Sequence, residues 1–241
     1  MDSQHVFQRW EQKYLLSAAQ YHAFIKGLGN HMQPDCYGRD TVNNIYFDTP
    51  DFLLIRRSLE KPCVYKEKLR LRCYGTPRPD SPAYIEVKKK YDGIVYKRRI
   101  SMPLRAAEGF LYDGIRTLQT EQEQIAKEIL WFLRFYKTLE PKMAILYTRT
   151  AYIGSTDPLL RLTFDENIRW RQTDLRLTAA PAGSPLLEEG QRLMEVKLPS
   201  AMPLWMAALL SDLQIYPVSY SKYGNAYKEY LQHQGGTLYY A

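Results

Sequence analysis

Cysteine is scarce in this chain, with three among 241 residues. Cys36, Cys63 and Cys73 have no metal-ligand spacing and cannot all pair with one another, which excludes a disulfide framework and a zinc module and predicts reduced thiols. The four histidines, His5, His22, His31 and His233, are scattered and read as surface residues rather than as gathered ligands or bases. Glycine is low, at 13, against 20 tyrosines, which argues for ordered strands and against disorder. Long apolar runs are missing: the longest, Ala201 to Leu210, is too short to span a bilayer and contains Pro203. The stretch Met-Asp-Ser-Gln-His at the start lacks the charged and apolar regions of a signal peptide, so a soluble, cytoplasmic protein without membrane insertion is expected. Negative charge is in deficit. Thirty-three Lys plus Arg stand against 26 Asp plus Glu, and the net +7 favours anionic partners without naming one.

What is present is organised around Tyr65 to Arg99. Lys66, Lys68, Arg70 and Arg72 occupy every second position, with Leu69, Leu71 and Cys73 between them. Alternate side chains of a strand point to opposite faces, so one face is a row of four cations and the other is largely apolar. Tyr84 to Lys90 follows, with Glu86, Lys88 and Lys90 on one face and Ile85 and Val87 on the other. Tyr91-Asp92-Gly93 makes a turn, and Ile94 to Ile100 returns with Lys97 and Arg99 on one face. Three neighbouring strands thus share a cationic face that carries a carboxylate.

Upstream, Val6 to Leu16 reads as a strand in which Arg9, Glu11 and Lys13 alternate with Trp10, Gln12 and Tyr14, and Ser17 caps a helix to about Leu28. Val42 to Asp48 is a further strand, and Asp48-Thr-Pro-Asp51 is a turn that opens a short helix carrying Arg56 and Arg57. Between Pro103 and Tyr136 the period changes to that of helices: Leu104, Phe110, Leu111 and Ile115 mark one, and Ile125, Ile129, Leu130 and Leu133 a longer one. Pro141 is expected to end this helical region.

The second half repeats the first half's chemistry. Ala144 to Tyr152 is a strand bearing Arg149; Leu160 to Asp165 places Arg161, Thr163 and Asp165 on one face. After a loop from Thr178 to Gly190, Leu193 to Leu198 sets Glu195 and Lys197 opposite Met194, Val196 and Leu198. Glu-Val-Lys follows an Arg-bearing strand in both halves, at Glu86 and at Glu195. Helices from Pro203 to about Leu213 and from about Tyr223 to Leu231 close the chain.

Alternation alone does not say which face meets water. Rows of like charge repel across strands unless an anion lies between them, and Glu11, Glu86 and Glu195 each stand two residues before a lysine. The helices need an apolar sheet surface, which the other strand faces supply. An α+β fold meets all of this: a closed antiparallel eight-stranded β-barrel with charges inside and helices packed outside. Such an interior suits polyphosphate, because guanidinium and ammonium donors replace its hydration, and a divalent ion relieves the carboxylates.

Arg9-x-Glu11-x-Lys13-Tyr, Ile45-Tyr-Phe-Asp-Thr49, Leu69-Arg-Leu-Arg72, Ile85-Glu-Val-Lys88, Tyr147-Thr-Arg149, Arg161-Leu-Thr-Phe-Asp165, Met194-Glu-Val-Lys197 and Ser221-Lys-Tyr223 together resemble the VTC domain. That is the polyphosphate polymerase domain of the vacuolar transporter chaperone, within the triphosphate tunnel metalloenzyme superfamily. The resemblance runs over about residues 6 to 228 of a single domain spanning 1–241. It implies a tunnel in which the γ-phosphate of ATP or another nucleoside triphosphate passes to a growing inorganic polyphosphate chain, with Mn²⁺ or Mg²⁺. Carried over by position, Arg70, Arg72, Arg161 and Lys222 are the catalytic cations, and Lys13, Lys88, Lys97, Arg149 and Lys197 bind substrate or product. Glu195 is the main metal ligand, with Glu11 and Glu86 as weaker candidates.

Related triphosphatases and class IV adenylate cyclases carry Glu-x-Glu-x-Lys near the N-terminus, whereas Arg9 stands here where the first Glu would be. This favours the polymerase branch. A triphosphate or polyphosphate hydrolase and a non-catalytic polyphosphate-binding module are the alternatives. Nucleic acid is not an expected partner, since no aromatic stacking platform is evident and a narrow tunnel excludes duplex. A protein partner supplied in trans stays open.

Overall fold

Ser17 shows how local sequence sets an element boundary. Its hydroxyl accepts the Gln20 N–H at 3.2 Å, while the Gln20 side chain accepts the Ser17 N–H at 3.0 Å, a reciprocal capping box. The helix it opens, α1 (Ala18–Leu28), stops at Gly29, whose φ of 48° lies where glycine costs least. A computed structural model of the chain describes residues 10–60, 62, 64–92, 94–114, 122–198 and 201–235. The opening Met-Asp-Ser-Gln-His stretch, the start of the expected Val6 to Leu16 strand through Arg9, and Cys63, Gly93 and Ile115, named above, lie outside these.

The elements in order are β1 (Trp10–Leu16), α1, β2 (Met32–Asp48), α2 (Leu53–Leu59), β3 (Tyr65–Tyr74), β4 (Pro82–Tyr91), β5 (Ile94–Pro103), α3 (Leu104–Leu111), α4 (Glu123–Tyr136), β6 (Glu140–Gly154), β7 (Arg161–Arg171), β8 (Ser184–Pro185), β9 (Arg192–Leu198), α5 (Leu204–Asp212) and α6 (Lys222–His233). The fold is α+β, with a nine-stranded sheet in the order β1-β9-β7-β6-β2-β3-β4-β5 and β8 on β7. Among the described residues no helix is long and apolar enough to cross a membrane. Pro141 does not terminate a helix, as the sequence pattern suggested; it lies inside β6, and α4 has already ended at Lys137, whose φ is 55°.

The chain divides into two compact units. One comprises Met1–Asp40, Tyr147–Ile168 and Leu187–Tyr220. Its core packs Tyr14 and Leu16 of β1, Leu162 and Phe164 of β7 and Met194, Val196 and Leu198 of β9 against Phe24 and Leu28 of α1 and Met206 and Leu210 of α5. The other comprises Thr41–Leu146, Arg169–Leu186 and Ser221–Ala241. There Leu69, Leu71 and Cys73 of β3, Ile85 and Val87 of β4 and Ile100 of β5 meet Phe110 of α3 and Ile129, Phe132 and Leu133 of α4. In one unit α1 and α5, and in the other α3 and α4, take the apolar strand face, so the polar face is the one left to carry chemistry.

The expected closed eight-stranded barrel is corrected: among the described residues the sheet is not closed, and β1 and β5 are its two ends. On β1 the outer edge is taken by an irregular segment. The Val218 N–H donates to Lys13 O at 2.7 Å, Tyr14 bridges Pro217, and Lys13 Nζ donates to the Tyr220 carbonyl at 3.1 Å. β5 carries Lys97, Arg98 and Arg99 in succession, the kind of charge that guards an open edge. Alternation fixes which side chains share a face; it holds no information on closure.

Candidate functional site

The polar face of β3, β4 and β5 is built by register. Residues directly opposite one another in antiparallel pairs point to the same side, so the ladder sets Lys68, Lys88 and Lys97 in one row and Tyr46, Arg70, Glu86 and Arg99 in the next. The row beyond holds Asn44, Arg72, Tyr84 and Ser101. Three lysines side by side repel one another, and the face holds one carboxylate to set against them. Glu86, only 2% exposed, accepts from Arg70 Nε at 2.7 Å and lies 3.1 Å from Lys97 Nζ and 4.0 Å from Arg99 Nη1. Burial works against its charge, but Arg70, Arg72 and Lys97 win, and its carboxyl is held down at about 2.

That depression has a measurable sign. With a folded pKa of about 2 against the ordinary 4.5, Glu86 contributes stability that is fully present above about pH 4.5 and is lost as pH falls through about 2. The contribution is on the order of 3 kcal/mol. Urea unfolding of wild type and Glu86→Gln at stepped pH is expected to show the wild-type curve falling more steeply below pH 4.5; parallel curves would count against the assignment.

Arg70 also joins this face to α6. Its Nη1 donates to the Tyr46 hydroxyl at 3.2 Å, and the Tyr46 ring stacks on Tyr223 of α6 at 4.6 Å between centroids. The Tyr223 hydroxyl donates to the buried Asp48 at 2.9 Å. Asp48 further accepts the N–H groups of Thr49, Leu54 and Ile55, which caps α2. Burial raises the Asp48 carboxyl, opposed by these donors, and burial together with Asp48 drives Tyr223 well above its usual range. Tyr46 goes the other way: burial is outweighed by Arg70, Arg72 and Lys222. Lys222 is the first residue of α6, and its neighbour Ser221, the N-cap, accepts from Lys68 Nζ at 2.8 Å. Arg72 is fixed by Asn44, which accepts from Arg72 Nε at 2.8 Å and donates to Ile145 O at 2.9 Å.

The other unit presents a second polar face on β1, β9 and β7. One row is Glu11, Lys197 and Arg161; the next is Lys13, Glu195 and Thr163. Lys13 Nζ lies 3.5 Å from Glu11 and 3.7 Å from Glu195. Arg149 binds the fully buried Asp165 with two parallel bonds, 2.6 Å from Nε and 2.7 Å from Nη2, and reaches Glu195 at 3.4 Å. Burial opposes its charge, but Tyr147, Asp165 and Glu195 keep it ionised. Arg161, half-exposed, lies 4.0 Å from Asp35.

Among the described residues, no three of His, Cys, Asp and Glu gather into a group able to hold a metal ion by themselves. The donor set on this face is of another kind. Two carboxylates, Glu11 and Glu195, flank one lysine, and the Thr163 hydroxyl, directly opposite Glu195, is buried without a hydrogen-bond partner. Mg²⁺ and Mn²⁺ sites use one or two carboxylates and complete their shell with water and substrate phosphate, so these residues fit an ion that arrives with a phosphorylated ligand.

Of the sequence-derived site residues, Arg70, Arg72, Glu86, Lys88, Lys97 and Lys222 fall in one unit and Glu11, Lys13, Arg149, Arg161, Glu195 and Lys197 in the other. Glu86 belongs to a different unit from Glu11 and Glu195, and within its own unit it is paired with Arg70 and Lys97. Tyr46, Asp48, Asp165 and Tyr223 were not singled out as site residues. All four stand within the motifs quoted above, but only tertiary contacts show them as the groups that hold Arg70, α6 and Arg149.

Residues 8–231 match the sequence model of a protein family described as the VTC domain. No curated protein matches the chain. Among solved structures, a candidate adenylate cyclase from Bacillus halodurans is similar at 14% identity and a TM-score of 0.53, over 88% of this chain and 92% of that one. A candidate adenylyl cyclase from Hippeastrum, HpAC1, described as having a dominant triphosphatase activity, is similar at 14% identity and a TM-score of 0.51, over 95% of this chain and 96% of that one. At these identities the likeness is one of fold.

Proposed function

This chain belongs to the VTC domain family, and from that premise we propose that it is a metal-dependent polyphosphate polymerase, passing the γ-phosphate of ATP or another nucleoside triphosphate to inorganic polyphosphate. The observation that carries the reading is the Lys68-Lys88-Lys97 row beside Arg70 and Arg99. Cations set directly opposite one another destabilise a sheet unless an anion screens them, and a phosphoanhydride chain supplies charge at that density.

Arg70, Arg72, Lys88 and Lys97 bind phosphoryl oxygens, and Lys222 does so from the first turn of α6. On the other face Lys13, Arg149, Arg161 and Lys197 are further hydrogen-bond donors to phosphate, and Glu195, with Glu11 and Thr163, holds Mn²⁺ or Mg²⁺. The ion, when bound, offsets charge on the phosphoryl oxygens. A terminal phosphate oxygen of the acceptor forms the new P–O bond while the bond from γ-phosphorus to the β-bridging oxygen breaks and ADP leaves. No side-chain nucleophile takes part; catalysis is positioning and electrostatic stabilisation. Neither exposed Cys36 nor buried Cys73 is in a disulfide, which suits a reducing, cytoplasmic setting.

Thr163→Val removes the unpartnered hydroxyl and keeps the shape. Mn²⁺ affinity in the presence of tripolyphosphate is expected to fall about tenfold while the thermal midpoint holds or rises, since an unsatisfied buried hydroxyl costs stability. Calorimetric titration and a thermal melt check both.

Incubation with ATP and Mn²⁺, with and without a short polyphosphate primer, tests the reading on a gel that resolves chain length. Product longer than the primer is expected. Orthophosphate without elongation means that water replaces the acceptor and the protein is a hydrolase, and no turnover with either ion means a binding module.

A further inference from the structure

The polar face of β3 to β5 is not uniform along its length. At one end stand Lys66 and Lys90, then the Lys68-Lys88-Lys97 row. At the other end the side chains turn aromatic. Tyr84 lies opposite Arg72, and Tyr74 is two residues beyond Arg72 on the same face. Tyr74 and Tyr84 meet edge to face at 5.7 Å and 75°. Each ring also carries a guanidinium: Arg99 lies 4.6 Å from the Tyr84 centroid and Arg72 lies 5.8 Å from that of Tyr74, donating to its hydroxyl at 3.4 Å. Tyr74 is 38% exposed. The aromatic residues at the lysine end, Tyr65 and Tyr91, alternate with Lys66 and Lys90 and so point to the opposite face.

We propose that Tyr74 and Tyr84, with Arg72 and Arg99, form a stacking site for the base of a nucleoside triphosphate, so that the strip binds its ligand in one direction, base toward Tyr84 and γ-phosphate toward Lys88 and Lys97. This rests on the reading of the same face as a phosphate site. Guanidinium planes and phenol rings are the surfaces on which a heteroaromatic base stacks, and stacking of this kind is indifferent to base identity. From Tyr84 to Lys88 is four residues, about 13 Å of strand at ~3.3 Å each. That is the order of length over which a base and its terminal phosphate are separated in an extended nucleotide. The four groups make no pattern of hydrogen-bond donors specific to one base edge, so purine and pyrimidine triphosphates are accepted alike, with purines ahead by their larger stacking area.

The test compares ATP with inorganic tripolyphosphate, which has the phosphates and no base, by calorimetric titration of the whole chain in EDTA, where turnover is blocked. Tyr84→Leu and Tyr74→Leu are expected to weaken ATP binding about tenfold and to leave tripolyphosphate within twofold, with wild-type ATP affinity exceeding that for tripolyphosphate before mutation. Tyr84→Phe, which keeps the ring, should retain ATP affinity and guards against a mere folding defect. Equal loss for both ligands, or no loss for either, overturns the stacking site while leaving the phosphate reading intact. Failure of tripolyphosphate to bind wild type overturns both.

Discussion

Arg149→Ala is expected to lower stability by about 3–5 kcal/mol, the cost of stripping a buried ion pair of one partner. The side chain makes two short parallel bonds to Asp165, which is fully buried, and a longer one to Glu195. Its loss strands a carboxylate where water does not reach. For a chain of this size that is roughly a 10 °C fall in thermal midpoint. Arg149→Ala with Asp165→Asn should recover part of it, because the double variant has no stranded charge. Additive losses in the two single variants would show that the pair does not act as a unit. Arg149→Lys should not rescue, since an ammonium makes a point contact where the site takes a fork.

Glu195→Gln is expected to act on turnover and to spare the fold. Glutamine keeps the side chain's shape and one acceptor oxygen for Arg149, but it loses the charge proposed to hold the divalent ion. Metal-dependent turnover should fall about 100-fold or more, the scale of removing one electrostatic stabiliser from a site of this kind. ATP binding in EDTA should change less than threefold, because the phosphate-binding cations are untouched. The two readouts separate a metal ligand from a residue that merely props up its neighbours. Turnover near the wild-type level would place the ion elsewhere.

Strand positions, helix positions and face assignments were legible in the sequence because they depend on short-range periodicity. Lys66 to Arg72 alternates at period two, and the structure puts Leu69 and Leu71 under α3 and α4 and Arg70 and Arg72 on the opposite face. Ser17 and Gln20 announce a cap because both partners lie within one turn. Closure was not legible: whether β1 pairs across to another strand depends on the segment Pro217–Tyr220, some two hundred residues away, which occupies its edge instead. Nor was the charge balance. The sequence pattern shows Arg70 as one cation in a repelling row, whereas the fold gives it Glu86 at 2.7 Å, so Arg70→Ala removes a stabilising partner as well as a hydrogen-bond donor to phosphate. Asp48 is similar. It reads as a turn residue, and its second task, receiving the Tyr223 hydroxyl from α6, joins positions 175 residues apart.

Calorimetric titration of tripolyphosphate into wild type and Arg70→Ala, at two salt concentrations and in EDTA, bears most directly on the cationic face of β3 to β5 as a phosphoanhydride site. Wild type should bind with an affinity that falls as salt rises, since Coulombic attraction between exposed charges is screened, and Arg70→Ala should bind at least tenfold more weakly with its fold retained. Equal affinity in the two proteins, or binding insensitive to salt, would contradict the assignment of this face.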